Sequence, residues 1–237
     1  MDEMYAAAVR AVAAYLPDPT ALGRPVLVAI DGGDGVGKTT FADALAAHLA
    51  SYPGKASRPS PTPDQGYAVV RASIDDFHHP SAHRHAEGRT GRTVWERSYD
   101  LTAVRRELLD PWRTGARAAY RHRWHDLATD AELDEPADDV PARGVLVFDG
   151  VFAQRAELRD AWDLVVYLDA PDEVRAARMA ARDGGSADLD HPDQARYLEA
   201  QRIYRELVDP RSSADVLVDL ADLTQPRLLL ARADRRA

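Results

Sequence analysis

Residues 26–39, with the sequence VLVAIDGGDGVGKT, decide the fold class. Residues 26–30 form a short apolar run typical of a buried parallel strand, and residues 39–50 carry apolar side chains at helical spacing. Between them, residues 32–39 fit the pattern G-x-x-x-x-G-K-[ST] at every fixed position. A strand, a glycine-rich loop and a helix in this order predict an α/β fold with a phosphate-binding loop, or P-loop.

The loop residues suit a nucleoside triphosphate. Glycines let consecutive backbone N–H groups turn toward phosphate oxygens, and the following helix adds its positive end. We expect Lys38 to bridge the β- and γ-phosphates and the Thr39 hydroxyl to ligate magnesium. Only two of the 30 Lys and Arg residues are lysines, so Lys38 is not simply another basic residue in an Arg-rich chain. A glycine-rich turn with a surface lysine is the alternative. The predicted nucleotide-binding residues of the loop are Gly32, Gly33, Asp34, Gly35, Val36, Gly37, Lys38, Thr39 and Thr40.

The rest of the chain alternates apolar runs with helical patterns. Further strands are predicted at 68–74, 145–148, 164–168 and 216–218. Helices are predicted at about 2–16, 101–110, 153–161, 171–182 and 193–207, with a proline-containing surface connection at 51–66. This alternation predicts a single domain over 1–237, with an open, mostly parallel sheet of about five strands and helices on both faces.

A pair of acidic residues, Asp75 and Asp76, ends the second predicted strand. Ligands of open α/β sheets collect beyond the carboxyl ends of the strands, which puts both carboxylates near the P-loop. One of them can accept the proton of a hydroxyl that attacks the γ-phosphoryl group. The alternative is that the pair caps a helix or starts a turn.

Two weaker patterns fit the same site. The apolar run 145–148 ends in Asp149, as in a Walker B element whose acid holds magnesium directly or through water. Arg175, Arg178 and Arg182 share one face of a predicted helix, which can close as a lid over the transferring phosphoryl group and exclude water. Taken alone, the first is a buried strand before a turn and the second an ordinary solvated helix.

Composition excludes several other classes. The net charge of −9 disfavours non-specific nucleic-acid binding, and the absence of cysteine excludes disulfides, thiolate nucleophiles and cysteine-ligated zinc. No apolar stretch has the length of a membrane span, and the N-terminal residues lack the features of a signal peptide, so we expect a cytoplasmic protein that does not bind membranes. Ten arginines fall within residues 78–123, a segment that faces either an anion or solvent.

Taken together, these motifs resemble the uridine kinase branch of the P-loop nucleoside kinases, which is itself similar to phosphoribulokinase and bacterial pantothenate kinase. The resemblance runs from about residue 26 to 218 and includes the P-loop, Asp75-x-Phe77, residues 98–100, the strand ending at Asp149-Gly150, the arginine-bearing lid at about 175–192, and residues 214–216 near the last strand. It implies Mg²⁺-dependent transfer of the ATP γ-phosphate to a primary hydroxyl. Asp75 then stands at the position of the catalytic carboxylate and near the metal, Asp149 at that of a metal-associated glutamate, and Lys38, Arg178 and Arg182 act on the phosphoryl group.

The departures from the family pattern concern the acceptor. Where uridine and cytidine kinases carry an aromatic residue and a His-Pro-Asp stretch, this chain has His78 and residues 95–97, Trp-Glu-Arg. Residues 184–186, Gly-Gly-Ser, also replace the usual Arg-Gly that follows the lid arginines. We expect the acceptor to bind within residues 76–125, and each candidate contact has local packing or exposure as its alternative. The predicted contacts are Asp75, His78, Trp95, Tyr99 and Arg123.

Other assignments remain open at this point. Uridine or cytidine is the default acceptor, and pantothenate, nicotinamide riboside or a sugar phosphate are alternatives. The four histidines within residues 78–85 face substrate or solvent, with a zinc site as the alternative. A P-loop regulator or GTPase-like switch needs no acceptor, but the chain has no Asn-Lys-x-Asp segment for reading guanine. A protein that binds nucleotide without chemistry and a homo-oligomeric assembly are also open.

Overall fold

The computed structural model describes residues 3–51 and 67–232. Within these residues the largest sheet has six strands in the order β10-β9-β8-β1-β7-β2. All neighbouring pairs are parallel except β9 and β10. The strands are β1 Val26–Gly32, β2 Ala68–Ser73, β3 Ala119–Tyr120, β4 His125–Asp126, β5 Ala131–Glu132, β6 Asp138–Asp139, β7 Gly144–Gly150, β8 Leu164–Asp169, β9 Val216–Asp219 and β10 Arg227–Ala231. The predicted α/β fold with a mostly parallel sheet is confirmed.

Helices cover both faces of this sheet. They are α1 Glu3–Ala13, α2 Pro19–Leu22, α3 Lys38–Ser51, α4 Ser81–Arg84, α5 Gly91–Arg97, α6 Leu101–Ala103, α7 Asp110–Thr114, α8 Asp172–Asp183, α9 Pro192–Val208 and α10 Pro210–Ser213. Short 3₁₀ turns lie at Ile74–Phe77 and Arg159–Ala161, and a π-helical turn at Val104–Leu109 joins α6 to α7.

The central strands β1 and β7 are buried along their whole length. Because successive side chains of a strand point to opposite faces, β1 contributes to two separate cores. Val28 and Ile30 pack with α1 and α3, whereas Leu27 and Ala29 pack with Phe148 and Trp112 on the other face. Burial on both faces explains why these strands read as continuous apolar runs.

The sheet brings the chemically important residues to one edge. The parallel register pairs Ile30 of β1 with Asp149 of β7, and Asp149 with Ser73 of β2. The loop after β1, the turn after β2 and the end of β7 therefore meet at the carboxyl edge of the sheet, where ligands of such folds bind.

Several predicted elements differ from the structure. The sheet has a sixth strand, β10, which pairs antiparallel with β9 in a segment for which we predicted no strand. Residues 153–161 do not form the predicted helix, because Phe152 adopts φ +64° and the indole N–H of Trp162 donates to the Ala153 carbonyl over 2.7 Å. Burial of these side chains fixes a series of turns instead.

Boundaries also move. The first helix ends at Ala13 rather than at residue 16, since the chain turns before Pro17. Helical structure predicted at 101–110 continues to Thr114. The predicted surface connection at 51–66 lies outside the described residues, apart from Ser51 at the end of α3. No helix in the described parts of the chain combines the length and the apolar character needed to cross a bilayer.

Candidate active site

The P-loop joins β1 to α3 through a backbone that only glycine fits. Gly35 has φ +76°, and a Cβ atom there would lie 2.4 Å from the carbonyl oxygen of Arg175. Gly37 has φ +103°, which side chains rarely adopt. Because α3 begins at Lys38, its first N–H groups have no partner within the helix and point into the loop. This concave set of amide donors can hold phosphate oxygens.

Lys38 lies over this loop. Its ammonium group donates to the Gly33 carbonyl over 3.0 Å, and the side chain is half-buried. It also lies close enough to Asp75 to act on that carboxylate electrostatically. The lysine is thus held at the cavity rather than extended into solvent.

Thr39 and Asp149 are in contact. The Thr39 hydroxyl donates to Asp149 Oδ2 over 2.8 Å, so a hydroxyl and a buried carboxylate face the same space beside the loop. Within residues 3–51 and 67–232, no three or more His, Cys, Asp or Glu side chains cluster as a metal site. Mg²⁺ needs few protein ligands where phosphates and water complete its octahedron, and oxygen donors of this kind fit it.

Arg71 of β2 fixes the other side of Asp149, a role that we did not predict from the sequence. Its Nη2 donates to Asp149 Oδ1 over 2.7 Å, its Nη1 to the Val147 carbonyl over 2.6 Å, and its Nε to Asp43 Oδ1 over 2.9 Å. The arginine therefore occupies one carboxylate oxygen and leaves the other toward Thr39. An arginine inside a strand that is otherwise apolar was the one available signal.

Asp75 lies in the 3₁₀ turn that follows β2. Its backbone N–H donates to the Ser73 hydroxyl, and the Tyr99 hydroxyl donates to its Oδ1 over 3.4 Å. The carboxylate opens into a cleft, but protein surrounds it on the other sides. Loss of solvation raises its pKa above the usual aspartate value, although the nearby His78 and Lys38 oppose this shift. Such a carboxylate can accept a proton from a bound hydroxyl.

The neighbouring Asp76 points elsewhere. It accepts from Arg123 Nε over 3.2 Å, and Arg123 also donates to Glu135 over 3.0 Å. Of the two acidic residues, Asp75 alone is among the described residues that line the cavities beside the P-loop.

Two cavities meet at Asp75. The first, of about 330 Å³, is lined by the P-loop, Lys38, Thr39 and Asp149, and we call it the donor cavity. The second, of about 260 Å³, extends toward α4, α5 and α9, and we call it the acceptor cavity. Asp34, Asp75 and Arg182 line both. A group bound in one cavity can thus reach a group bound in the other across the Asp75 carboxylate.

The three lid arginines occupy different positions. Arg175 is buried, and its Nη1 donates to the Asp34 carbonyl over 3.0 Å, so it supports the loop from behind instead of covering phosphate. Arg178 lines the donor cavity and donates to the carbonyls of Leu220 and Ala221. Arg182 lines both cavities, and its pairing with Asp183 raises its pKa.

Predicted acceptor contacts also separate. His78 and Tyr99 line the acceptor cavity, and their rings lie 4.5 Å apart. Trp95 is not among the described residues that line either cavity, since its ring packs on Phe152 and Tyr204 under the guanidinium of Arg155. Arg123 forms ion pairs with Asp76 and Glu135 and is not among the described residues that line either cavity.

A buried polar network beneath the P-loop had not been predicted. Asp31 is fully buried at the end of β1 and accepts from the Tyr204 hydroxyl over 2.5 Å and from the Gln154 amide over 2.9 Å. Burial raises the pKa of Asp31 despite these donors. The network ties the strand before the loop to α9. An acidic residue inside an apolar strand was a sign that partners exist, but not of which ones.

Comparisons with known proteins agree with this architecture. The uridine kinase of Ligilactobacillus salivarius (strain UCC118) is 23% identical over 229 residues, which cover 90% of this chain and 97% of that protein. A structure described as a possible uridine kinase from Bacillus stearothermophilus has a TM-score of 0.63 at 22% identity, covering 88% of this chain and 96% of its own. A candidate fructose transport system kinase from Silicibacter sp. TM1040 has a TM-score of 0.59 at 26% identity, covering 84% and 93%.

The resemblance to uridine kinases seen in the motifs is confirmed by these relatives. A family model described as AAA domain matches residues 28–203, which include the P-loop, Asp75, Asp149 and the lid arginines. The chain therefore belongs to this AAA-domain family of P-loop proteins, and its curated relatives include uridine kinases.

Proposed function

We propose that the chain is an ATP- and Mg²⁺-dependent kinase that moves the γ-phosphate to a hydroxyl of a small molecule. The observation that carries the proposal is the position of Asp75, at the boundary between a cavity lined by the P-loop and a second cavity open to an acceptor. Hydrolysis alone would need no second cavity of this size.

In this proposal, the loop amides and Lys38 bind the β- and γ-phosphates in the donor cavity. The acceptor hydroxyl lies against Asp75, which takes its proton as the oxygen bonds to the γ-phosphorus. The bond from that phosphorus to the β,γ-bridging oxygen breaks, and ADP leaves with the electron pair. Arg178 and Arg182 offset charge on the transferring group.

Thr39 and Asp149 would hold the magnesium ion, and Asp75, which lines the same cavity, is the further carboxylate that could take part. Bound there, the ion would neutralise phosphate charge and align the phosphate chain. Arg175 and Arg71 position the loop and Asp149 rather than touch the reacting atoms.

Uridine or cytidine is the default acceptor because the chain resembles this branch of nucleoside kinases and curated relatives are named uridine kinase. Pantothenate, nicotinamide riboside and sugar phosphates remain alternatives. In the same proposal, residues 1–237 act as one kinase domain with an acceptor-binding insertion at about 76–125 and a lid at about 175–192. The proposal also places the protein in the cytoplasm, without binding to nucleic acid or membrane. Homo-oligomerisation stays open.

Release of ADP tests the proposal. Purified protein with ATP and Mg²⁺ is screened against nucleosides, pantothenate, nicotinamide riboside and sugar phosphates, with ATP binding measured in parallel. We expect ADP release that depends on at least one hydroxyl compound. Tight ATP binding with slow hydrolysis that no acceptor stimulates would instead indicate a P-loop switch or a binding protein.

A further inference from the structure

The end of the acceptor cavity away from the P-loop is lined by three arginines. Arg84 ends α4, Arg89 lies in the loop before α5, and Arg196 lies near the start of α9. These three arginines are not among the described residues that line the donor cavity. Three separate segments thus direct guanidinium groups to one place.

These charges are only partly neutralised. Arg84 Nη2 is 3.7 Å from Asp130, and Arg196 Nη2 is 3.8 Å from Asp193, both longer than a direct hydrogen bond. The Nε of Arg196 is buried and has no hydrogen-bond partner within the described part of the chain. Arg89 forms no ion pair with any described residue. Arg196 Nη2 also donates to the Tyr197 hydroxyl over 3.2 Å, a contact that satisfies the donor without adding an opposite charge.

His85 shows that the three arginines act on the same point. Desolvation lowers its pKa, and the charges of Arg89, Arg84 and Arg196 lower it further. Both effects favour the neutral ring, whose Nδ1 lies 3.2 Å from the Ser81 hydroxyl. The positive charge at this end belongs to the arginines.

Acidic residues of the acceptor cavity do not cancel this charge. Asp34 and Asp75 also line the donor cavity, so they lie at the phosphate end. Asp183 is paired with Arg182 over 2.7 Å. The cavity thus has a carboxylate at the reacting end and, at the other, three guanidinium groups of which two have only long ion pairs and Arg89 has none with a described residue.

This separation identifies a class of acceptor. A neutral alcohol would add no anion at Arg89 or to the long ion pairs of Arg84 and Arg196, whereas a carboxylate or phosphate accepts paired hydrogen bonds from guanidinium groups. A cavity of about 260 Å³ also lies below the usual range for drug-sized ligands. We infer that the acceptor is a small alcohol with a carboxylate or phosphate group, which Arg84, Arg89 and Arg196 bind while its hydroxyl lies at Asp75. The inference rests on the proposed kinase function and replaces its neutral nucleoside default.

Matched pairs of alcohols test the charge requirement. ADP release is measured with glycerate and glycerol, pantothenate and panthenol, orotidine and uridine, and fructose 1-phosphate and fructose. Each pair differs by one anionic group, and the carboxylates and the phosphate form separate arms. We expect the anionic member of at least one pair to have a kcat/KM at least about 10-fold higher, as expected for one charge-assisted hydrogen bond.

Variants separate this site from the P-loop. Arg89→Gln changes an exposed loop residue and should not affect folding, and Arg196→Gln removes a guanidinium group that lines the cavity from α9. Arg202→Gln, on the same helix as Arg196 but paired with Glu206 at the surface, is the matched control. With a non-hydrolysable ATP analogue and Mg²⁺ in the donor cavity, inorganic phosphate binding is measured by calorimetry. We expect the first two variants to weaken binding about 10-fold or more and the control to leave it unchanged.

The outcomes are distinct. Preference for the neutral member of every productive pair, or phosphate binding that none of the arginine variants changes, would overturn the anionic acceptor and leave the kinase standing. If no alcohol stimulates ADP release although ATP binds, the proposed function fails and this inference fails with it.

Discussion

Replacing Arg71 with methionine tests how much the ion pair between Arg71 and the Asp149 carboxylate contributes to the stability of the fold. The two side chains form an ion pair of 2.7 Å, with Asp149 2% and Arg71 25% exposed. In Arg71→Met, the Asp149 side chain would keep, within the described part of the chain, one hydrogen bond, the 2.8 Å contact from Thr39. Removing one partner of a buried ion pair typically costs about 3–5 kcal/mol of stability. Because Arg71 is partly exposed and water can partly replace it, we expect the free energy of unfolding to fall by about 2–3 kcal/mol.

Urea unfolding without nucleotide or Mg²⁺ measures this loss in a double-mutant cycle with Asp149→Asn. Arg92→Met, which removes an exposed arginine paired with Glu96 on the same helix, is the control and should change the free energy of unfolding by less than about 0.5 kcal/mol. We expect a coupling energy of about 2 kcal/mol between positions 71 and 149. Additive effects within about 0.5 kcal/mol would refute the idea that Arg71 holds Asp149.

The same variant should alter the response to magnesium. Without Arg71, Asp149 is free to rotate away from Thr39, and loss of such supporting contacts typically weakens metal affinity or activity about 10- to 100-fold. The Mg²⁺ concentration for half-maximal ADP release should therefore rise by about 10-fold or more. An unchanged Mg²⁺ dependence would show that the carboxylate keeps its orientation without the arginine.

Three further predictions concern Asp75, the P-loop and the buried network. Lost solvation raises the pKa of Asp75, and only its ionised form accepts a proton. We therefore expect kcat/KM to fall as the pH decreases, with a midpoint above the ordinary aspartate pKa of about 3.9. A midpoint at or below that value would contradict this. In Gly35→Ala the new Cβ would lie 2.4 Å from a carbonyl oxygen, and we expect ATP binding in calorimetry to weaken about 10-fold or more. Gly88→Ala is the control, because Gly88 also has positive φ but lies in open space, and it should not weaken binding. Equal ATP binding by both variants would count against the close fit at Gly35. Tyr204→Phe removes a 2.5 Å hydrogen bond to buried Asp31 and should lower the free energy of unfolding by about 1.5–3 kcal/mol. Tyr15→Phe is the surface control. If Tyr204→Phe lowers the free energy of unfolding by less than about 0.5 kcal/mol, the network is dispensable for stability.

The sequence predicted the elements whose physics is local. The glycine loop requires particular residues at fixed spacing, and the strands buried on both faces are continuous apolar runs, so the P-loop, β1 and β7 were accessible from the sequence. Asp75 and Asp149 followed because they end strands that the fold places side by side.

Side-chain direction was harder to predict. Arg175 and Arg182 share a helical face, but Arg175 turns under the loop while Arg182 faces the cavities, because the helix lies against the loop at one end. Trp95 packs into the core through contacts with Phe152 and Tyr204 that come from distant parts of the chain. Such choices depend on tertiary packing, which spacing alone does not encode.

Long-range polar partners were missed for a similar reason. Arg71 and Asp149 lie 78 positions apart, and Tyr204 and Asp31 lie 173 apart. A charged residue inside an apolar strand indicates that a partner exists, but only the folded chain identifies it. The strand β10 was missed because its leucines are partly exposed at the edge of the sheet and, among the described strands, it pairs with β9 alone.

The central claim is that Asp75 acts as the general base between two cavities. Asp75→Asn keeps the shape of the side chain but cannot take a proton, so its single-turnover rate of phosphoryl transfer should fall by about 10²- to 10⁴-fold with ATP binding unchanged in calorimetry. A variant that transfers phosphate at the wild-type rate, or that loses ATP binding and turnover together, would contradict the account.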